Sequence, residues 1–207
     1  TTGDHNTALG HSALADDVTG SNNIAIGSYA LTSITTASNS IAIGRNALDA
    51  QTTASSNIAI GSLALGASTL TGGSNIMIGE CTGMYTTTGN CNIAIGQLAM
   101  GGQTVENHNN IAMGYHAGHK ITTGSKNFFG GYCAGSINNI QGNNNVAIGP
   151  TAGASLNIGQ YNVFFGLNAG YKAEAACDAI AIGHDAGYCF SSTTYNYNIA
   201  IGKNAIR

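Results

Sequence analysis

One short phrase recurs twelve times in 207 residues and leaves this chain little freedom: an asparagine, an apolar-small-apolar triplet, then glycine. It reads Asn23-Ile24-Ala25-Ile26-Gly27, Asn57-Ile58-Ala59-Ile60-Gly61, Asn92-Ile93-Ala94-Ile95-Gly96 and Asn198-Ile199-Ala200-Ile201-Gly202, with variants between. The closing glycines fall at 10, 27, 44, 61, 79, 96, 114, 131, 149, 166, 183 and 202, so the gaps run from 17 to 19 residues. A period this short and regular has no room for a helix and predicts stacked β-coils. The expected fold is all-β, a single-chain parallel β-solenoid (β-helix or β-roll) of about twelve 17–18-residue coils. Twelve coils at roughly 4.8 Å each would make an array about 58 Å long.

Each position in the coil has a physical reading. Four residues before the closing glycine stands Asn6, Asn23, Asn57, Asn75, Asn92, Asn110, Asn127, Asn145, Asn162 or Asn198, with Ser40 and Ala179 the exceptions. Identical amides stacked one coil apart predict an asparagine ladder along the axis. The flanking triplet positions carry Ile24, Ile26, Ile41, Ile43, Ile58, Ile60, Ile93, Ile95, Ile180, Ile182, Ile199 and Ile201 among others. Alternation puts each pair on one strand face, and their β-branching suits it, so they read as the buried apolar spine. Between them recurs alanine: Ala8, Ala25, Ala42, Ala59, Ala94, Ala112, Ala147, Ala181 and Ala200, interrupted by Met77, Phe129 and Phe164. A half-buried strand should be polar there, so the alanine stripe reads as a second packed face, against another layer or another chain. Tight internal turns are the other reading.

Glycine at the closing position implies a positive φ or a bend without room for a side chain. Alanine returns three residues later in eleven coils, followed by Leu14, Leu31, Leu48 and Leu65 and then mostly by glycine: Gly83, Gly118, Gly135, Gly153, Gly170 and Gly187. One continuous array, 1–207, is therefore expected, with leucine-type coils over 1–66 and glycine-type coils mostly over 67–207. Phe128, Phe129, Phe164 and Phe165 could supply the volume that the glycines leave open. The rest of each coil, such as Thr86-Thr87-Thr88-Gly89, reads as turns.

Composition narrows the function classes. Charged residues are 7% of the chain, hydrophobic residues 43%, and the net charge is −3. That balance favours folding over disorder. The six Lys and Arg are scattered, so no nucleic-acid partner is expected. No apolar run approaches the roughly 20 residues of a membrane span, so no membrane insertion is expected. Neither an initiator Met nor a signal peptide opens the chain, as in a processed protein or a segment of a longer one. Five cysteines are present; Cys81 with Cys91 and Cys177 with Cys189 are near enough in sequence to bridge, and isolated thiols are the alternative.

The stretch Thr-Gly-Ser-Asn-Asn-Ile-Ala-Ile-Gly-Ser-Tyr-Ala-Leu at 19–31 resembles repeats of bacterial and bacteriophage tail-fibre-like proteins. It is similar, more loosely, to the head repeats of trimeric autotransporter adhesins. The resemblance implies an extracellular, cell-surface or virion-surface fibre, often trimeric, used as a shaft or for attachment. The adhesin heads have a shorter repeat, and neither a coiled-coil stalk nor a self-cleaving chaperone module is visible.

Chemistry is hard to find. His116 and His119, with His108, suggest a metal cluster only if the chain turns between them. Glu80 with Cys81 and Cys91 lacks the spacing of structural zinc, and Asp16-Asp17, Asp178 and Asp185 read as solvated turns. No paired carboxylates or Ser-His-Asp arrangement recur with useful spacing. Neither an Asn-x-Ser/Thr sequon nor a regular Thr-x-Thr face of the ice-binding kind is visible. The expectation is a structural protein with no enzyme activity, cofactor or metal. Coils would stack head-to-tail between protomers into a filament, or as a homo-oligomer such as a trimer. An adhesin or receptor-binding module is the alternative, with turns 101–109 and 188–197 on a surface glycan or protein. In the spine reading, Ile95→Asp would bury an unpaired charge.

Overall fold

The computed structural model describes residues 2–16, 19–66, 69–102, 106–190 and 197–206. It is all-β and groups into two compact units, Thr1–Glu106 and Asn107–Arg207. The first holds β1 (Thr7–Leu9), β2 (Ile24–Ile26), β3 (Ile41–Ile43), β4 (Ile58–Ile60), β5 (Ile76–Ile78) and β6 (Ile93–Ile95). The second holds β7 (Ile111–Met113), β8 (Phe128–Gly130), β9 (Val146–Ile148), β10 (Val163–Phe165), β11 (Ile180–Ile182) and β12 (Ile199–Ile201). Within each unit consecutive strands pair in parallel and in repeat register: Ala25 lies opposite Ala42 and Ala59 opposite Met77, then Ala112 opposite Phe129 and Phe164 opposite Ala181. Each unit is the parallel β-solenoid that the period predicts.

The interior reverses the expected facing of the strands. Ala25, Ala42, Ala59, Ala94, Ala112, Ala147 and Ala181 are wholly buried, as are Met77, Phe129 and Phe164, and Ala200 nearly so. The spine expected from Ile24, Ile26, Ile41, Ile43, Ile58, Ile60, Ile93, Ile95, Ile180, Ile182, Ile199 and Ile201 points outward; these side chains are half-buried or exposed. The packed layer behind the alanine stripe is the coil's own far wall. A coil of 17 or 18 residues closes around a narrow cross-section, and opposing walls must share it at close-packed density. Ile34, Leu70, Ile121, Ile140, Leu156 and Phe190 reach in from that wall, in stretches that read as turns. In most coils a small strand residue meets these large ones; where Met77, Phe129 or Phe164 stands instead, a glycine (Gly83, Gly135 or Gly170) makes the room.

Corners are made by backbone in the left-handed region. The closing position has φ near +130, as at Gly27 (φ 131). A Cβ on Gly27 would lie 2.6 Å from the carbonyl oxygen of Gly44 in the next coil, so conformation and stacking both demand glycine. Two and four residues later φ is again positive, as at Tyr29 (58) and Leu31 (49). A non-glycine residue there costs about 1 kcal/mol. Leu31, Leu48 and Leu65 offset it by turning into the interior, where they are buried. Where glycine replaces leucine the volume comes from elsewhere. A Cβ on Gly135 would sit 2.4 Å from the Phe129 ring, one on Gly170 2.6 Å from Phe164, one on Gly83 2.8 Å from Met77 and one on Gly187 2.4 Å from Phe190. Phe129 and Phe164 therefore do the filling expected of them. Phe128 and Phe165 do not, because they occupy outward strand positions.

The asparagine ladder is built as the repeat implies, and inside the solenoid. Asn145 shows the pattern: its Nδ2 donates to the Gly159 carbonyl (2.8 Å) and to Asn127 Oδ1 (3.0 Å). Its Oδ1 in turn accepts from the Asn162 backbone N–H (3.1 Å) and from Asn162 Nδ2 (2.9 Å). Ser40 is too short for this, and buried Gln51 takes its place. Gln51 Nε2 donates to Ser40 Oγ (3.2 Å), while Gln51 Oε1 accepts from Asn57 Nδ2 (3.4 Å). A second ladder runs two residues earlier. Ser38 Oγ accepts the Ser21 N–H (3.0 Å), Ser55 Oγ that of Ser38 (3.1 Å) and Asn143 Oδ1 that of Ser125 (2.7 Å).

The five cysteines are free thiols, so neither Cys81–Cys91 nor Cys177–Cys189 bridges. Cys81 follows its closing glycine by two residues while Cys91 precedes the next by five, and Cys177 and Cys189 lie six residues before and after the closing Gly183. Members of each pair thus sit at different points of the coil, whereas a disulfide needs Cα atoms about 4.4–6.8 Å apart.

One carboxylate is strained by its burial. Burial pushes the Asp49 carboxyl above its usual range, against the opposing hydrogen bond from Asn46 (2.7 Å). The folded state therefore holds this proton more tightly than the unfolded chain. Stability from this group is gained as pH falls into the window just above the ordinary carboxylate range and lost as pH rises through it. Asp49→Asn should raise the melting temperature at pH 7, and the gain should vanish in acid; pH-dependent thermal melts of the two proteins check this.

Candidate functional site: an outward apolar face

Turning the triplets inside out leaves each unit with a flat wall of large aliphatic side chains facing solvent. In the first unit the wall is two columns, from Ile24 and Ile26 to Ile93 and Ile95; Ile95 keeps 37% of its surface exposed although strands cover it on one side. In the second, Met113, Val163, Phe165 and Ile182 are exposed, Phe165 at 54%. Neighbouring coils repeat at about 4.8 Å, and three strand residues span about 10 Å. Six coils therefore present a strip of about 300 Å² per unit. That is the scale of the largest apolar patch on a typical folded monomer, which is often functional.

The residue after each closing glycine forms the rim. In the first unit it is polar: Arg45 Nη2 donates to Ser62 Oγ (3.4 Å), and Gln97 Nε2 to Glu80 Oε2 (2.8 Å). In the second the rim is aromatic or apolar over its first four coils, Tyr115, Tyr132, Pro150 and Leu167, and polar at His184 and Lys203. Tyr115 and Tyr132 stack with centroids 5.3 Å apart, and Leu167 stands exposed beside Phe165. An apolar centre with charged groups held to the edge is the anatomy of a protein–protein interface.

The remaining candidates disperse. The chain does turn between His116 and His119, bringing their rings to 4.4 Å, with Tyr115 4.3 Å from His116. Burial, and secondarily His119, holds His116 below the usual histidine range. His108 belongs to another corner, its N–H donating to Ser125 Oγ (3.2 Å). Among the described residues no group of three His, Cys, Asp or Glu side chains is placed to hold a metal ion. Asp17, residues 103–105 of the 101–109 turn and residues 191–196 of the 188–197 turn lie outside the described residues. Among the described residues no helix is long and apolar enough to cross a membrane. No family model, curated protein or solved structure matches the chain.

Proposed function

We propose that this chain is a structural module of an extracellular or virion-surface fibre, and that copies associate side by side through the isoleucine face. The observation that carries this reading is the facing of the triplets: the most apolar, most repetitive positions in the chain point away from its own core. Counted unit by unit, a strip of about 300 Å² meeting its counterpart in a second chain removes about 600 Å² from water, and two such contacts reach the lower end of the range of specific interfaces. A second copy is the natural occupant. Its rungs have the same spacing, so side chains can interdigitate along the whole strip, and no charged group stands within the strip to repel it. The low charge and the Asn-, Ser- and Thr-rich turns suit an extended shaft, as does the resemblance of residues 19–31 to fibre repeats.

Size-exclusion chromatography with light scattering tests the reading on the wild type and on the double variant Ile43→Lys, Ile95→Lys. The wild type should be a discrete oligomer. The double variant should be a monomer with an unchanged β-type circular dichroism spectrum, since both side chains point outward. A monomeric wild type, a variant that keeps the oligomer, or a variant that unfolds outright would each sink the proposal.

A further inference from the structure

A second surface feature lies in the unit 107–207, among the turns. A cleft of about 440 Å³ opens there, with Lys120, Asn138, Asn139, Gln141, Asn157 and Glu174 around it and Ile137 as an apolar wall. It is shallow, open to solvent and lined almost wholly by polar groups, the form of a surface site for a hydroxyl-rich ligand and not of an enclosed apolar pocket. The lining comes from four successive coils, those of β7 to β10. Lys120 and Glu174 are three coil steps apart, about 14 Å, too far to neutralise each other.

Comparison with the other coils shows which of these residues depart from the usual turn. At the equivalent turn Thr35-Thr36, Thr52-Thr53, Thr87-Thr88 and Thr122-Thr123 recur, while Val18-Thr19 and Leu70-Thr71 keep one threonine and Val105-Glu106 none. Threonine there serves stacking: Thr35 Oγ1 donates to the Thr52 carbonyl (3.0 Å) and Thr122 Oγ1 to that of Ile140 (3.1 Å). Three consecutive coils give this up for Ile140-Gln141, Asn157-Ile158 and Glu174-Ala175. The turn still closes through backbone alone, because the Glu174 carbonyl accepts the N–H groups of Asn157 (2.9 Å), Ile158 (3.1 Å) and Gly159 (3.2 Å). The Glu174 and Gln141 side chains are thereby released to solvent. Asn138 is oriented by donating to the Ser155 carbonyl (2.8 Å). Asn157 Oδ1 is sealed from solvent with no hydrogen-bond partner among the described residues. These three coils are adjacent, neither turn position in any of them is threonine, and their turns line the cleft.

We infer that this cleft binds a short neutral oligosaccharide. Each side-chain amide offers a donor and an acceptor side by side, which matches the paired donor and acceptor of vicinal hydroxyls. The carboxylate of Glu174 accepts hydroxyl protons at one end, and the Lys120 ammonium donates to ring or hydroxyl oxygens at the other. Ile137, 41% exposed, packs against the C–H face of a sugar ring. One positive and one negative group leave the cleft without net charge, so it selects against strongly anionic ligands.

The test is titration calorimetry of the full chain with maltotriose, cellotriose, chitotriose and, as the acidic comparison, sialyllactose. Binding of at least one neutral trisaccharide at micromolar to millimolar concentration is expected. Gln141→Ala and Glu174→Ala should each weaken it tenfold or more, with melting temperature and oligomeric state unchanged because neither side chain supports the coil. No binding of any neutral trisaccharide, binding of sialyllactose alone, or binding that survives both substitutions would overturn the assignment.

Discussion

Asn145→Leu should destabilise the protein by about 2–6 kcal/mol, although leucine is more apolar and close to asparagine in size. The substitution strands the Gly159 carbonyl and the Asn162 N–H, both now bonded to the Asn145 amide inside the solenoid. Each buried backbone group left without a partner costs about 1–3 kcal/mol. Serine at this position is the sharper experiment, because the chain already contains the remedy. Ser40 is tolerated through Gln51, eleven residues on; eleven residues after Asn145 stands Leu156, buried in the same wall. Asn145→Ser alone should be destabilising, and Asn145→Ser with Leu156→Gln should recover a substantial part of the loss. Urea denaturation of the three variants decides it. A double variant no more stable than Asn145→Ser would show that Gln51 does not complete the ladder.

Phe129→Ala should cost about 3–5 kcal/mol, the usual loss on truncating a buried phenylalanine. The cavity lies over Gly135 and Gly118, whose added Cβ atoms would meet the ring at 2.4 and 3.3 Å. Gly135→Leu alone should be comparably damaging, since the leucine would be driven into that ring. Together the two substitutions rebuild the arrangement of Ala42 with Leu48, or Ala59 with Leu65, all of them buried. The double variant should therefore lie within about 1–2 kcal/mol of wild type, most of the residue being the left-handed backbone cost at position 135. A strongly favourable coupling in this cycle is expected for two groups sharing one cavity. Additive losses would mean that the two coil types are not alternative ways of filling one cross-section.

Much of the fold was legible because a short period constrains so strongly. The spacing of Gly27, Gly44 and Gly61 sets the coil and the register in which Ala25 meets Ala42 and Ala59. The asparagines at 57, 75 and 92 announce a ladder, because stacked amides have few other ways to satisfy donors and acceptors in a β-coil. The second ladder through Ser21, Ser38 and Ser55 carried the same signal, but serine is common enough in turns to hide it. Gln51 could have been found as the one long amide in the coil that carries Ser40 in place of asparagine. The cleft was harder to see. Its residues lie in four coils and become neighbours only when those coils stack, and their clearest mark in the sequence is a run of three successive coils with no threonine at that turn, at 140–141, 157–158 and 174–175.

What the sequence determined by itself is the repeat, the strand triplets, the glycine corners and the ladder, all consequences of local chemistry stacked at one spacing. What only the tertiary structure decided is which way the triplets face. Alternation states that isoleucine and alanine lie on opposite sides of a strand, and it is unchanged when inside and outside are exchanged. The choice is made by closure of the coil, whose narrow interior takes alanine opposite Ile34 or Leu156 and excludes isoleucine from the same space. That cross-section is set by all walls together. No single triplet carries it, and it is the reason the outer isoleucines of the triplets face away from the core.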